Sequence, residues 1–160
     1  MRAQFKQNYL GVGSNNDIIS AIVTTYHQYK NQPSELVENI VDCDYQTQCE
    51  TIWEYFNENI VYQLDKQNYQ FFKTPARLLA DGNGDCKSFS IFFAACLHCL
   101  GIPFVFRFVN FGGRFFTHVY VVANPGTENQ VIFDAVEKDS TGTPIYNYAR
   151  PFSKKLDVIG

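Results

Sequence analysis

The stretch that decides the fold is "GNGDCKSFSIFFAACLHCLGIP", residues 82–103. A glycine-containing turn leads to Asp85, a residue type that caps helix N-termini, and Gly101 is placed to end the helix that follows. Apolar residues lie on nearly all sides of the helix that this pattern predicts from Cys86 to Leu100. A helix that is apolar all round is a buried helix. We therefore predict a central, buried helix that begins with a cysteine.

The first turn of the predicted helix is polar, unlike its remainder. Its polar residues are Asp85, Lys87, Ser88 and Ser90. We therefore expect this end of the helix to face a wet cleft. A thiol there lies beside unpaired backbone N–H groups and about half a positive charge, which favour the thiolate and can bind an oxyanion. Cys86 is thus a candidate nucleophile, and the alternative is a small residue beside the cap with no chemistry.

The segments on either side of this helix predict an α+β fold. Three- and four-residue apolar spacing with capping residues predicts helices upstream, at residues 14–31, 33–41, 46–63 and 74–84. Runs of β-branched and aromatic residues separated by turns predict strands downstream, at residues 104–111, 115–123 and 130–136. The tail, 140–160, is predicted to be mostly loop with one edge strand. The plan is N-terminal helices and a buried central helix packed on an antiparallel sheet.

Composition limits the classes of protein that the chain could represent. It has 160 residues, which we interpret as one domain, 1–160, and its 46% apolar and 18% charged residues are typical of globular proteins. The net charge of −3 disfavours a nucleic-acid partner. No apolar run approaches the roughly 20 residues of a membrane span, so we expect no membrane partner. Five irregularly spaced cysteines and no signal-peptide pattern predict a reduced, cytoplasmic setting.

Catalysis by a thiol needs a base, and the chain has three histidines. His98 lies about 18 Å from Cys86 along the same helix and cannot reach the thiol. His27 lies among polar residues and is expected to be solvated. His118 lies within the apolar run "FFTHVYVVA", where a histidine needs a partner or a role. The alternative is a core histidine whose ring is satisfied by a backbone group.

An acid in the next predicted strand favours the catalytic interpretation. Asp134 lies in "VIFDAV", and a hairpin through "NPGTEN" can set His118 directly opposite Asp134, with Cβ atoms about 4.5–5.5 Å apart. A shift of one residue in this register would separate the two side chains. An acid beside a base beside a thiol at a helix N-terminus is the nucleophile, base and orienting group of acyl transfer.

These segments together resemble one family. The helix stretch, "THVYVV" and "VIFDAV" are similar to the transglutaminase-like core within the wider papain-like cysteine enzymes, over about residues 45–137. The resemblance implies a papain-like fold, with Cys86 as nucleophile, His118 as base and Asp134 as orienting acid. Family members take a second oxyanion donor from an upstream side chain. The candidates here are Tyr69 and Gln70, ranked first for their place near the turn before Gly82, and then Trp53 and Tyr62.

The chain also departs from the family pattern. An Asp-rich stretch often follows the family's cysteine, and here "KSFS" follows Cys86. The aromatic motif and calcium-site acids of the animal cross-linking enzymes are absent, which disfavours cross-linking activity.

Other cysteine patterns carry weaker signals. Cys96 and Cys99 form a C-x-x-C at the end of a helix, where the first thiol lacks the acidification that redox pairs gain at a helix start, and we expect both cysteines to pack in the core. Cys43 and Cys49 have no histidine nearby to complete a zinc set. We therefore expect no metal and no cofactor.

The sequence thus predicts a cysteine-dependent acyl-transfer enzyme acting on a peptide or protein. Hydrolysis of an amide or peptide bond is the favoured reaction. Protein-glutamine transamidation is the alternative within the enzyme class. A catalytically idle module of the same fold, used for binding or assembly, is the alternative from another class.

Overall fold

The computed structural model describes residues 4–6, 15–63, 69–113 and 115–160, with side chains omitted at 4–6, 15 and 69–71. The predicted α+β plan is confirmed, because helices precede an antiparallel sheet along the chain. The helices are α1 (Asn15–Tyr29), α2 (Ser34–Val37), α3 (Tyr45–Asn59), α4 (Pro75–Asp81) and α5 (Cys86–Cys99), with a 3₁₀ turn at Glu38–Ile40 after α2.

The strands of the described residues are β1 (Gln4–Lys6), β2 (Val61–Tyr62), β3 (Tyr69–Phe71), β4 (Asn83–Gly84), β5 (Phe104–Asn110), β6 (His118–Ala123), β7 (Val131–Phe133) and β8 (Lys154–Ile159). Four of them form the main sheet, in the order β7–β6–β5–β8 with every pair antiparallel. Two short two-stranded pairs accompany it: β1 and β3 are antiparallel, and β2 and β4 are parallel. The edge strand predicted in the tail is β8, which pairs with β5.

The helix α5 is the centre of the fold, as predicted. Every residue from Lys87 to Leu97 is buried. Its Phe93 ring lies 4.6 Å from Phe56 of α3 and 5.0 Å from Phe133 of β7, measured between ring centroids. One face of the sheet therefore packs on α5, while the opposite face carries a smaller apolar cluster that includes Tyr120 and Val122.

The third helix is shorter than the sequence predicts, ending at Asn59 rather than residue 63. Ile60 is extended, and the backbone N–H groups of Val61 and Gln63 donate to carbonyls of Gly82 and Gly84. Residues 61–62 are thereby drawn into a parallel pair with the turn before α5. Helical periodicity continues through this segment, but tertiary hydrogen bonding decides its conformation.

Candidate active site

Asp85 begins the helix that carries Cys86. Its Oδ1 accepts hydrogen bonds from the backbone N–H groups of Lys87, at 3.1 Å, and Ser88, at 3.5 Å. These groups have no partner within the helix, so the carboxylate satisfies them. Cys86 is consequently the first residue of α5, and it is partly exposed.

The polar first turn of α5 is buried, so the predicted wet cleft around it is wrong. Lys87, Ser88 and Ser90 are between 1% and 3% exposed. Their polar atoms have partners within the protein: Asp85 binds the Lys87 ammonium, and the Lys73 backbone N–H donates to Ser88 Oγ at 2.9 Å. Polar residues in a helix turn indicate water only when no protein group satisfies them.

Ser90 joins this turn to the sheet beside His118. Its Oγ lies 2.8 Å from the carbonyl oxygen of Cys86 and 3.3 Å from that of Val119, and its hydroxyl donates to them. His118 precedes Val119 as the first residue of β6, so the imidazole lies at the end of the strand that meets Cys86.

His118 and Asp134 form a direct hydrogen bond. His118 Nε2 lies 2.9 Å from Asp134 Oδ2, and the two side chains are 12% and 2% exposed. The Val136 backbone N–H donates to the other oxygen, Oδ1, at 3.3 Å. Because Nε2 is engaged, Nδ1 is the ring nitrogen that remains for the Cys86 thiol.

The strand register behind this contact differs from the predicted one. Val121 pairs with Phe133, so continuing the ladder by one residue sets Asp134 opposite Tyr120, not opposite His118. His118 and Tyr120 share a face of β6, and Asp134 is therefore a diagonal neighbour of His118. A shift of this kind preserves the face, which is why the two side chains still meet.

The charges at the site favour an ion pair between thiol and imidazole. Burial raises the pKa of Cys86, but the Lys87 ammonium, the His118 imidazolium and a hydrogen bond from His118 outweigh it, so the net pKa is lowered. Burial lowers the pKa of His118, but the Cys86 thiolate and the Asp134 carboxylate raise it to about 10. Both shifts favour thiolate with imidazolium at neutral pH.

An aromatic ring that sequence reasoning missed covers the imidazole. Phe111, between β5 and β6, stacks on His118 at 6.0 Å between centroids and 27° between planes. The Arg150 guanidinium lies 4.4 Å from the Phe111 centroid. Asn110 holds this loop, because its side chain donates to Gly113 O at 2.6 Å and accepts from Gly112 N at 2.7 Å. No sequence motif marks Phe111, since only the hairpin geometry brings it over the ring.

The four candidate oxyanion donors differ in how near they lie to Cys86 and in whether their side chains are described. Tyr62 lies beside the turn that leads to Cys86, because it pairs with Gly84 in the β2–β4 ladder. Burial and the charges of Cys86, Asp85 and Asp134 raise the pKa of its hydroxyl. Trp53 is 6% exposed and lies in the core, with its ring 6.0 Å from Phe93. The side chains of Tyr69 and Gln70 lie outside the described residues, and only their backbone in β3 is described.

Sequence reasoning also passed over Lys87, which is paired with Asp85 next to the thiol. Its signal was present in the sequence: a lysine inside the first turn of an otherwise apolar helix needs a buried anion as a partner.

The remaining candidate groups lie away from this site. His98 bonds Asn31 Oδ1 at 3.2 Å, and His27 is exposed. Cys96 is fully buried, and the Cys99 thiol donates to Lys30 O at 3.3 Å. Within the described part of the chain, no group of three or more His, Cys, Asp or Glu side chains could hold a metal ion. The helices in that part are also too short or too polar to cross a membrane.

The transglutaminase-like superfamily profile matches residues 34–123, more than half of the chain. The chain belongs to the transglutaminase-like superfamily. The matched segment includes Cys86 and His118 and ends before Asp134. No individual curated protein matches the chain in sequence.

Solved structures share the fold of this transglutaminase-like chain. Calcium-bound LapG from Legionella pneumophila superposes with a TM-score of 0.54 at 21% identity, over 86% of this chain and 81% of LapG. EGTA-treated LapG gives 0.50 at 22% identity, over 76% of each chain. A candidate cysteine protease from Cytophaga hutchinsonii gives 0.50 at 13% identity, over 99% of this chain and 62% of its own. The fold is therefore that of papain-like cysteine enzymes.

Proposed function

We propose that this protein is a cysteine-dependent hydrolase of amide or peptide bonds, with Cys86, His118 and Asp134 as its catalytic triad. The observation that carries the proposal is the 2.9 Å hydrogen bond from His118 to Asp134, with the other imidazole nitrogen left for a thiol at a helix N-terminus. A purely structural histidine would not need a buried carboxylate on one side and a thiol on the other. The idle binding module is disfavoured for the same reason.

The reaction proceeds in two halves. The Cys86 thiolate attacks the amide carbonyl carbon, a C–S bond forms, and the oxygen becomes an oxyanion. The His118 imidazolium gives its proton to the nitrogen, the C–N bond breaks, and an amine leaves from a thioester. His118 then takes a proton from water, the hydroxide oxygen attacks the thioester, and the carboxylic acid departs as the thiolate returns. Asp134 holds the imidazole orientation throughout.

Two donors are suited to stabilise the oxyanion. The Asp85 cap binds the N–H groups of Lys87 and Ser88, and we assign the backbone N–H of Cys86 to the oxyanion. The second donor is the Tyr62 hydroxyl. Tyr62 pairs with Gly84 in the β2–β4 ladder, two residues before Cys86, and its raised pKa keeps the hydroxyl protonated as a donor.

Water is the proposed acceptor of the acyl group rather than an amine. A transamidase must protect its thioester from water, which aromatic walls can do. The one tryptophan of the chain, Trp53, packs against Phe93, Phe133 and Tyr146 in the core. It is therefore not available to wall a tunnel at Cys86. The substrate class that we propose is a peptide or protein.

Calcium, present in one of the Legionella LapG structures, does not fit the acids beside this nucleophile. Calcium takes six to eight oxygen ligands, mostly from clustered carboxylates. The Asp85 carboxylate already binds the Lys87 ammonium and two backbone N–H groups. The described residues hold no acidic cluster that would replace it. No step of the reaction is therefore assigned to calcium.

The test uses the full chain, a mixture of glutamine-containing peptides and a labelled primary amine, with products read by mass spectrometry. We expect cleaved or deamidated peptides without amine incorporation, and loss of all product in Cys86→Ala. Cys99→Ala is the matched control, because that thiol is remote from the site. Product formation that persists in Cys86→Ala would overturn the proposal, and amine incorporation that outruns hydrolysis would replace hydrolase by transamidase.

A further inference from the structure

A buried ion pair flanks the proposed nucleophile. Lys87 Nζ lies 3.0 Å from Asp85 Oδ2, and the two side chains are only 4% and 5% exposed. Lysine and aspartate are almost never buried this fully unless they are paired, and desolvation makes even such a pair a poor source of stability. Asp85 and Lys87 directly precede and follow Cys86 in the chain, and both charges act on its thiol.

The Asp85 carboxylate acts on Cys86 in two opposing ways. One oxygen caps α5 and so fixes the helix N-terminus at Cys86. Its negative charge, however, lies next to the sulfur and disfavours a thiolate there. A serine or asparagine would cap the helix as well without this charge. An aspartate is compatible with a thiolate only if a cation offsets it.

Five charged or titratable groups belong to the site around Cys86, from four elements. These are Asp85 and Lys87 at the start of α5, His118 and Asp134 on the sheet side, and Tyr62 of β2. Burial and Asp85 raise the pKa of Cys86, whereas Lys87 and His118 lower it. Of the two cations, only Lys87 keeps its charge through the reaction, because His118 gives up its proton to the leaving amine.

We propose that Lys87 is a positioning residue whose ammonium neutralises the Asp85 cap and supplies a fixed positive charge to the Cys86 sulfur. The charge serves the attacking thiolate in the first half of the reaction and the departing thiolate in the second. The inference deepens the proposed function and rests on Cys86 being its nucleophile.

The test measures the rate of Cys86 alkylation by iodoacetamide against pH, in the full chain, by peptide mass spectrometry. Lys87→Met keeps most of the side-chain length without the charge. In this variant the midpoint, the pH at which the alkylation rate is half its maximum, should rise by about 1–3 pH units. Lys73→Met is the matched control, since Lys73 is largely buried and pairs with Asp81 at 2.9 Å outside the site. Its midpoint should equal that of the native protein even if its melting temperature falls.

A second variant covers the case in which Lys87→Met does not fold. Asp85→Asn/Lys87→Met removes both charges and keeps a capping oxygen. Its midpoint should lie above the native value, and below that of Lys87→Met where the latter folds. A purely structural Lys87 would give a native or lower midpoint in the double variant, or an unchanged midpoint in folded Lys87→Met, and either result would overturn the inference.

Two further measurements separate the role of Lys87 from that of a bound calcium ion and from the proposed hydrolase function. EGTA should leave the native midpoint unchanged, whereas a rise in EGTA would assign the positive charge to a bound calcium ion and overturn the role of Lys87. Alkylation needs no substrate. A native protein that cleaves no peptide would therefore reject the proposed function while the midpoints still decide the role of Lys87.

Discussion

His118 Nε2 bonds Asp134 Oδ2 at 2.9 Å, although the two residues are not opposite each other across β6 and β7. The ladder pairs Val121 with Phe133 and ends there, so Asp134 lies just beyond the last strand pair. Its carboxylate reaches diagonally to the first residue of β6. The contact that orients the imidazole therefore depends on the end of the hairpin and not on a cross-strand pair.

Asp134→Asn should lower kcat/KM by about two to four orders of magnitude. The amide can keep the shape of the contact, but it can favour the wrong imidazole tautomer and leaves the imidazolium without a counter-charge. The measurement is steady-state cleavage of a peptide identified in the digest. Thermal unfolding is the control, and a rate loss explained entirely by unfolded protein would contradict the role of Asp134.

Activity should follow a bell-shaped pH profile. Because the pKa of Cys86 is lowered, the thiolate forms below the usual thiol pKa of 9.0, and the acidic limb marks its protonation. Because the pKa of His118 is raised to about 10, the alkaline limb marks loss of the imidazolium proton near that value. Both limbs belong to the coupled pair. kcat/KM measured against pH tests this, and a single limb near pH 6.5, as for an isolated histidine, would contradict it.

Iodoacetamide at about pH 6 should label Cys86 before the buried thiols. Burial raises the pKa of Cys49 to about 11 and that of Cys96 well above the usual value, whereas the pKa of Cys86 is lowered. Cys43 is exposed, so the experiment is run in a Cys43→Ser background. Peptide mapping at short times gives the order of labelling. Equal labelling of the remaining thiols in folded protein would contradict the prediction.

Tyr62→Phe should lower kcat by about 10- to 1000-fold with little change in KM, because an oxyanion donor acts mainly in the transition state. Trp53→Phe is the matched comparison among the candidates. It should lower the melting temperature, through loss of core volume, and leave kcat near the native value. The opposite pattern, with kcat lost in Trp53→Phe and kept in Tyr62→Phe, would assign the donor to Trp53.

Gly84→Ala should destabilise the fold by about 1–3 kcal/mol, as overpacking does. A Cβ at Gly84 would lie 2.7 Å from Leu78 Cδ1, and Leu78 is fully buried. Gly113→Ala is the control, because a Cβ there meets nothing within 4 Å. Urea unfolding of both variants gives the difference, and equal stabilities would show that α4 moves aside without cost.

The sequence by itself determined the buried helix from Cys86 and the candidate triad. Cap chemistry and all-round apolarity are local signals, and a histidine or an aspartate in an apolar strand is anomalous without a partner. The predicted contact of His118 with Asp134 is present although the predicted register is wrong, because the actual register keeps both residues on one face of the sheet. The helical periodicity predicts a longer α3 than the structure has, because periodicity cannot reveal that residues 61–62 pair with β4.

The tertiary structure decided what surrounds the triad. The polar turn after Cys86 suggested water, but protein groups satisfy its side chains. Lys87 pairs with Asp85 in the same turn. The partners of Ser88 and Ser90, the backbone of Lys73 and of Val119, come from elsewhere in the fold. The same is true of Phe111, which a hairpin loop sets against the imidazole. Residue types reveal which groups can do chemistry. Their burial, pairing and charge environment, and hence their pKa, arise only when segments distant in sequence pack together.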